Sequence, residues 1–149
     1  MNRLALLIIT LWMVGCQSPS EKKKEHFQDI SQNTGQPQSE LQKSMERGAL
    51  VYEDFCITCH RADGAGVSGT FPPLANSDWL TQKRTESIHA IKYGQQGEIL
   101  VNGVTYNGVM TPMGLADDEV ADVMNYIMNS WGNKQDKMVT EEEVAAVEK

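Results

Sequence analysis

The stretch FCITCH, Phe55–His60, places two cysteines three positions apart and a histidine directly after the second cysteine. A Cys-x-x-Cys pair alone is compatible with a redox dithiol, with half of a zinc site or with a local disulfide. The histidine that follows favours another possibility, the covalent attachment of haem. The rest of the sequence decides between these chemistries.

Haem attachment requires two thiols that reach one edge of the porphyrin and an imidazole that reaches the iron. Two intervening residues let one helical turn present the sulfurs of Cys56 and Cys59, with His60 next to them. A zinc site would need a second pair of ligands, and His26 and His89 are the other two histidines of the sequence. We therefore predict that Cys56 and Cys59 bind haem covalently and that His60 is an axial ligand of its iron.

A thioredoxin-like dithiol is the competing redox interpretation. Such a motif normally begins a helix within alternating strands and helices, where the helix N-terminus lowers the pKa of a thiol. Upstream of this motif, apolar or small residues recur at steps of three or four: Leu41, Met45, Gly48, Tyr52 and Phe55. This spacing predicts a helix that ends at the motif, so haem attachment is favoured over a dithiol.

The first 15 residues have the layout of a secretory signal, with one positive charge at Arg3 and 11 apolar-rich residues from Leu4 to Val14. The stretch MVGC, residues 13–16, resembles a bacterial lipobox, in which the cysteine is acylated and becomes the new N-terminus. An uncleaved signal anchor is the alternative, but 11 residues are short of the roughly 20 that span a bilayer. We predict a signal peptide over residues 1–15 and lipidation of Cys16. The protein is then periplasmic or extracytoplasmic, anchored to the inner or the outer membrane.

Residues 16–40 comprise this acylated cysteine and a segment rich in Ser, Gln, Lys, Glu and Pro, which predicts a flexible tether. The whole chain has 149 residues and a net charge of -7, and loss of residues 1–15 removes one arginine and no acid, which gives -8. This balance argues against nucleic-acid binding and favours a cationic or neutral partner. With Cys16 lipidated, the two remaining cysteines allow no disulfide beyond a local one.

Local signals predict two elements in the middle of the chain. The hydroxyl of Thr85 is expected to cap a helix that ends at Gly94. Asn102 and Gly103 lie between two β-prone triplets in the stretch Ile99–Tyr106, which predicts a small β-hairpin.

Two further helices are predicted towards the C-terminus. A strongly periodic apolar segment follows the acidic residues 117–119 and is expected to continue through Trp131 to a stop at Gly132 and Asn133. Thr140 and Glu143 have the spacing of a capping box, which predicts a short terminal helix.

Four stretches resemble blocks of the class I c-type cytochromes: YEDFCITCH, DGAGVSGTFPPLANSDWL, VNGVTYNGVMTPMG and LADDEVADVMNYIMNSWGN. This family includes monohaem periplasmic electron carriers and domains associated with oxidases, dehydrogenases and copper nitrite reductases. The resemblance implies an all-α fold of three to four helices around one covalently bound haem c, with a small β-hairpin. It assigns residues 41–133 to the cytochrome c domain and residues 134–149 to a tail with a short helix.

The resemblance also implies a methionine as the second axial ligand, from the loop before the last long helix. A thioether is a soft, neutral ligand that favours ferrous iron and raises the reduction potential. Met110 takes the family's ligand position, and Met113 is the alternative. Two residues depart from the family pattern, since Thr111 stands where Pro is usual and Ala116 where a capping Ser is usual.

Other positions carry over from the family singly. Pro72 matches the residue whose carbonyl accepts the ring proton of the axial histidine, here His60. A bis-histidine haem would need His89 instead of a methionine, but a histidine in a helix between apolar residues is more often a packing or surface residue.

A helix crossing is also implied by the resemblance. Gly48 and Tyr52 match the glycine and the aromatic residue on the first helix, and Val123 and Tyr126 match their partners on the last one. A glycine at such a crossing lets two helix backbones touch.

These features predict an electron carrier rather than an enzyme. The expected protein is a membrane-anchored monohaem cytochrome c that carries single electrons between a donor and an acceptor redox protein. One alternative is a haem protein that binds or senses small gases. Another is a dedicated electron-transfer subunit of a dehydrogenase, oxidase or nitrite reductase complex, and a third is a thiol oxidoreductase without haem.

Overall fold

The computed structural model describes residues 39–135 and 137–149. The predicted signal peptide, Cys16 and the tether up to residue 38 lie outside the described residues. Within these residues no helix is both long enough and apolar enough to cross a bilayer. The helices of this part are α1 (Glu40–Phe55), α2 (Ile57–His60), α3 (Asp78–Gln82), α4 (Arg84–Tyr93), α5 (Asp117–Ile127) and α6 (Glu141–Ala145). The strands are β1 (Gln95–Gln96), β2 (Ile99–Val101), β3 (Val104–Tyr106) and β4 (Val109–Met110).

The all-α fold class predicted from the sequence is confirmed. The long helices are α1, α4 and α5, and the other three helices span four or five residues each. The strands form two antiparallel pairs, β1 with β4 and β2 with β3. The fold therefore consists of packed helices with short strand pairs at one edge of the helical core.

The crossing of α1 and α5 organises this core. The side chain of Ser39 accepts a hydrogen bond from the backbone N–H of Gln42 and so caps the N-terminus of α1. At the crossing, a Cβ on Gly48 would collide with the backbone carbonyl of Asp122, so the glycine is required for the two backbones to touch. The rings of Tyr52 and Tyr126 pack beside it with centroids 5.5 Å apart. The helix crossing implied by the family resemblance is thus present.

A polar network accompanies this crossing. The hydroxyl of Ser44 donates to Oδ1 of Asp122 at 2.6 Å and accepts from the amide of Asn125 at 2.8 Å. Arg47 donates to both carboxylate oxygens of Asp122, at 2.6 and 2.7 Å. The Asp122 side chain is only 10% exposed, and its charge is paired with Arg47, whose side chain stays 60% exposed to solvent. The apolar face predicted for α1 was wrong at Phe55, whose surface is 48% exposed. Ser44, which the prediction did not include, is buried.

The predicted hairpin is confirmed as β2 and β3. Ile99 pairs with Tyr106 and Val101 with Val104. Asn102 and Gly103 both have positive φ, of 50° and 76°, as a two-residue turn of this hand requires.

The pair formed by β1 and β4 was not predicted. It places Gln95 opposite Met110, and each strand has only two residues, so no local pattern marks it. Gly94 ends α4 as expected, with a φ of +88°. A Cβ there would lie 2.7 Å from the carbonyl oxygen of Met110 and 3.0 Å from Cδ of Pro112. The glycine therefore lets the end of α4 approach the β4 loop.

The predicted cap of α4 was wrong. Ser77 accepts a bond from the amide of Leu80 and starts the short helix α3, which the sequence did not predict. Lys83 then ends α3 and precedes α4, so Thr85 lies inside the first turn of α4 and caps nothing.

The bounds of α5 also differ from the prediction. Ala116 has no side-chain oxygen, so only half of a capping box forms, in which Glu119 accepts from the Ala116 amide at 2.9 Å. The helix ends at Ile127 instead of continuing to Gly132. Trp131 has a φ of +50°, which no helix accommodates, so its side chain belongs to the turn after α5.

The C-terminal segment shares the core of the domain. Val139 and Val144 have no exposed surface. Asn125 of α5 donates to the carbonyl of Val139 at 2.9 Å and accepts from its amide at 2.7 Å. Apolar burial therefore continues past residue 133, the end that the sequence predicts for the cytochrome c domain.

The predicted terminal helix is confirmed as α6. Thr140 accepts from the amide of Glu143 at 3.3 Å and caps its first turn. The carboxylate of Glu143 also accepts two bonds from Arg84 of α4, at 2.6 and 2.9 Å. Both side chains of this pair are mostly buried, so α6 is fixed to α4.

Candidate functional site

One cavity gathers residues from almost every element of the fold. Its walls come from the α1–α2 junction, the loop after α2, the inner face of α4, the hairpin, the β4 loop and α5. Most lining side chains are apolar, among them Leu74, Ile91, Val101, Val123 and Ile127. The residues that the sequence singled out for haem binding line this same cavity: Cys56, Cys59, His60, Pro72, Met110 and Met113.

The junction between α1 and α2 presents the Cys-x-x-Cys-His motif to the cavity. Cys56 ends α1, where its amide donates to the carbonyl of Tyr52 at 2.9 Å. Its own carbonyl accepts from the amides of Cys59 and His60, at 3.2 and 2.9 Å. One tight turn therefore places both thiols and the imidazole on the cavity side.

The ring of His60 is oriented by Pro72. The distance between Nδ1 of His60 and the carbonyl oxygen of Pro72 is 3.0 Å, which is the contact that the family resemblance implies. Since a carbonyl only accepts, the proton lies on Nδ1 and Nε2 keeps its lone pair. Burial lowers the pKa of His60 and the bond to Pro72 partly opposes this, so a neutral imidazole faces the cavity.

The environment of Cys56 is not that of a reactive thiol. Burial, together with the nearby Cys59, raises the pKa of Cys56 to about 11. A redox dithiol needs the opposite shift, because the thiolate is the nucleophile. The structure therefore disfavours the dithiol interpretation of this motif.

Both candidate methionines reach the cavity and both are half-buried. Met110 is held by the pairing of β4 with β1, and it packs against the buried core. Met113 is held by a bond of 3.4 Å from its amide to the carbonyl of Ile91. The structure thus brings together His60 and two thioethers.

His89 lies elsewhere. Its ring packs against the edge of Tyr93 at 5.2 Å between centroids, and it borders a separate surface cleft with Glu86 and Glu148. It is not among the residues that line the main cavity, which argues against a bis-histidine haem.

Tyr106 is a residue of the cavity wall that the sequence did not single out. Tyr106 is 5% exposed and lines the cavity, and its hydroxyl has no hydrogen-bond partner among the described residues. The side chain of Trp79 also lines the cavity. In β2, Ile99 and Val101 are at least partly buried and Leu100 between them is exposed. Tyr106 is paired with Ile99 and therefore lies on the same, inward face of the hairpin.

These donors fit a covalently bound haem. Two thiols one turn apart, a neutral imidazole and a thioether provide the attachment and ligand groups of haem c, and the apolar wall suits a porphyrin face. In the described part of the chain, no three His, Cys, Asp or Glu side chains cluster closely enough to hold a metal ion themselves.

Comparison with known proteins gives a consistent result. The family model for cytochrome c matches residues 45–131. The chain is 42% identical to a cytochrome c-552 of Thermus thermophilus over 106 residues, which cover 65% of this chain and 80% of that protein.

Larger proteins contain similar segments. The chain is 38% identical over 101 residues to the cytochrome c subunit of a quinone-dependent alcohol dehydrogenase of Gluconacetobacter polyoxogenes. It is 36% identical over 112 residues to a gluconate 2-dehydrogenase cytochrome c subunit of Pantoea cypripedii. The matches cover 65% and 70% of this chain but only 21% and 24% of those two subunits.

Proposed function

The chain belongs to the cytochrome c family as a class I monohaem electron-transfer domain with one covalently attached haem c, and from this premise we propose that it is a membrane-anchored carrier of single electrons between redox proteins outside the cytoplasm. One observation carries the proposal: Cys56, Cys59, His60 and Met110 line the same apolar cavity. A carrier needs no group that moves atoms, because only an electron crosses the surface.

In this proposal the thiols of Cys56 and Cys59 hold the haem covalently and Nε2 of His60 binds the iron. Met110, whose position is fixed by β1 and the core, would supply the second side-chain ligand, and Met113 is the alternative. The haem supplies a reversible one-electron change between ferric and ferrous iron. Held by the same two side chains in both oxidation states, the iron would need little rearrangement during electron transfer.

The remaining wall residues exclude water and hold the polar edge of the haem. Leu74, Ile91 and Val123 make an apolar, low-dielectric wall. Tyr106 and Trp79, which also line the cavity, would offer an O–H and an N–H donor to the carboxylates of a haem. Pro72 fixes the orientation of His60.

The test of this proposal is an optical spectrum of the matured protein, recorded oxidised, reduced, and reduced under carbon monoxide. A closed His/Met site predicts an iron-to-thioether charge-transfer band in the oxidised form and no response of the reduced form to carbon monoxide. Ready binding of carbon monoxide, with the band missing, would contradict the carrier and support a gas-binding protein.

A second candidate is a dedicated electron-transfer subunit of a larger complex. The observation that favours it is the similarity to the cytochrome c subunits of two dehydrogenases. Co-purification from solubilised membranes under mild detergent tests it: a stable stoichiometric complex with an oxidoreductase supports the subunit, and recovery of the free cytochrome supports the mobile carrier.

The anchor is proposed from residues outside the described part. In this proposal residues 1–15 are removed, Cys16 is acylated, and the segment up to residue 40 tethers the domain of residues 41–133 and its C-terminal segment. A tether of this kind raises the concentration of the domain near a membrane-bound partner. Cys16→Ser should move the cytochrome from the membrane fraction to the soluble fraction, whereas Cys16→Ser protein that stays in the membrane fraction would contradict the anchor.

The partner of this carrier docks over the mouth of the cavity through an uncharged surface. Residues 64–77 and 99–116, which supply much of the cavity wall, contain no Asp, Glu, Lys, Arg or His. Within these segments, Val67, Val104 and Val109 have 45%, 42% and 74% of their surface exposed, and Val109 lines the cavity. An apolar rim without charge complements a redox protein whose facing surface is equally uncharged.

A further inference from the structure

Gly66 lies against both His60 and Pro72, the two residues whose hydrogen bond orients the ring of His60. Its backbone N–H donates to the backbone carbonyl of His60 at 3.0 Å. A Cβ on Gly66 would lie 2.7 Å from the carbonyl oxygen of Pro72 and 2.8 Å from its carbon, and closer still to the carbonyl oxygen of Phe71. Only a residue without a side chain lets the Pro72 carbonyl occupy this position.

Directly after Gly66, residues 67–71 form a loop that backbone hydrogen bonds close. Val67 and Phe71 exchange two backbone hydrogen bonds, each 2.8 Å long. Pro72 follows directly after this bridge, so its carbonyl does not move independently of it.

A second pair of backbone hydrogen bonds closes the wider loop that runs from Gly64 to Ala75. The amides of Leu74 and Ala75 both donate to the carbonyl of Gly64, at 2.7 and 2.9 Å. The Pro72 carbonyl is therefore held between two closed stretches of backbone. A methyl group added at Gly66 would collide with the carbonyls of both Phe71 and Pro72.

We propose that Gly66 is a positioning residue for the imidazole of His60, because it seats the Pro72 carbonyl at hydrogen-bond distance from Nδ1. This inference rests on the proposed function, in which Nε2 of His60 binds the iron. A hydrogen bond at Nδ1 makes the imidazole a stronger electron donor, and such a donor stabilises ferric iron. Loss of the Pro72 contact therefore raises the reduction potential.

The same loop provides a matched control. Gly69 also has a positive φ, +73° against +62° for Gly66, so alanine meets similar backbone strain at both positions. A Cβ on Gly69, however, has no atom within 4 Å. Gly69→Ala thus reproduces the strain of Gly66→Ala without the collision.

The experiment compares the haem-loaded wild type with Gly66→Ala and Gly69→Ala. Two quantities are measured, the reduction potential and the exchange rate of the His60 Nδ1 proton by NMR. Gly66→Ala should raise the potential and speed this exchange about tenfold, as loss of one hydrogen bond allows, and Gly69→Ala should change neither. Equal potentials and equal exchange rates in the two variants would overturn the inference.

A second measurement decides the matter if Gly66→Ala takes up no haem. In the wild type, the Gly66 amide and the His60 Nδ1 proton should exchange through the same opening and show equal protection. Exchange of the Nδ1 proton while the Gly66 amide stays protected would overturn the inference. Failure of the proposed function is seen separately, as a His60→Ala protein that keeps the wild-type optical spectrum.

Discussion

His60 is held by the surrounding chain at three atoms. Its amide donates to the carbonyl of Cys56, its carbonyl accepts from Gly66, and its Nδ1 lies 3.0 Å from the carbonyl oxygen of Pro72. Only Nε2 is left to interact with a ligand in the cavity. The ring is therefore oriented before it binds anything, which reduces the rearrangement that accompanies a change of oxidation state.

The two candidate methionines are predicted to differ in their effects when each is shortened. Met110→Ala should abolish the iron-to-thioether band of the oxidised protein and let the reduced protein bind carbon monoxide, because the sixth ligand is lost. Met113→Ala should keep the band and lower the free energy of unfolding by about 1–2 kcal/mol, since its side chain is half-buried. Optical spectra and urea unfolding of both variants make the comparison, and the reverse pattern would assign the ligand to Met113.

Among the elements, α6 depends on the pair between Arg84 and Glu143. The hydrogen bonds from Arg84 are the main cause that lowers the pKa of Glu143 below its ordinary value of 4.5. A carboxyl with a lowered pKa in the folded state stabilises the fold at pH values above its unfolded pKa. This stability is lost as the pH falls through the folded pKa.

Glu143→Gln should therefore lower the free energy of unfolding by about 1 kcal/mol at pH 7. The difference from the wild type should shrink as the pH falls below the ordinary pKa of 4.5 and should be lost as the pH passes through the lowered pKa of the folded state. Urea unfolding at pH 7 and pH 3 measures both values. Glu141→Gln removes a charge from the same helix without touching Arg84, and an equal loss in this control would show that the pair with Arg84 contributes nothing.

The elements that sequence reasoning predicted are those specified by local chemistry. The period of α5 and the Asn102-Gly103 turn belong to contiguous residues, and so does the Cys-x-x-Cys-His motif. The pairing of β1 with β4 joins strands of two residues, which only the tertiary structure stabilises. Val139 exchanges two hydrogen bonds with the side chain of Asn125, a residue 14 positions away, and no local pattern predicts this contact.

The candidate site divides in the same way. The residues proposed to attach the haem lie three positions apart in one short motif. Met110 and Met113 belong to one loop and reach one cavity, so the sequence alone does not decide between them. Tyr106 was overlooked because a tyrosine at the end of a strand is ordinary for a hairpin. Its unpartnered hydroxyl is visible only once the cavity is known.

Across the whole molecule, charge is distributed unevenly. The chain carries a net charge of -7, yet the residues 64–77 and 99–116 around the cavity have none. The acidic groups act on a docking partner from a distance, and salt screens such interactions beyond about 10 Å at 0.1 M ionic strength. Association at the cavity mouth should therefore depend little on salt above this concentration.

A charge placed on the rim should change this behaviour. Val109→Lys should speed reduction of the haem by ascorbate, an anion, several-fold at low ionic strength, and the gain should vanish at high salt. Leu50→Lys adds the same charge on α1, at a side chain that is 64% exposed and does not line the cavity. Stopped-flow rates measure the effect, and equal gains in the two variants would argue against electron entry at the cavity mouth.

During synthesis, the thiols of Cys56 and Cys59 emerge long before the residues that enclose them. The hydrogen bond between Ser44 of α1 and Asp122 of α5 joins residues that lie 78 positions apart, so it cannot form until α5 has been synthesised. Contacts between such distant residues form slowly because a long loop must close first. In the proposed function, the segment that carries Cys56 and Cys59 is therefore open to haem attachment before α5 packs against α1.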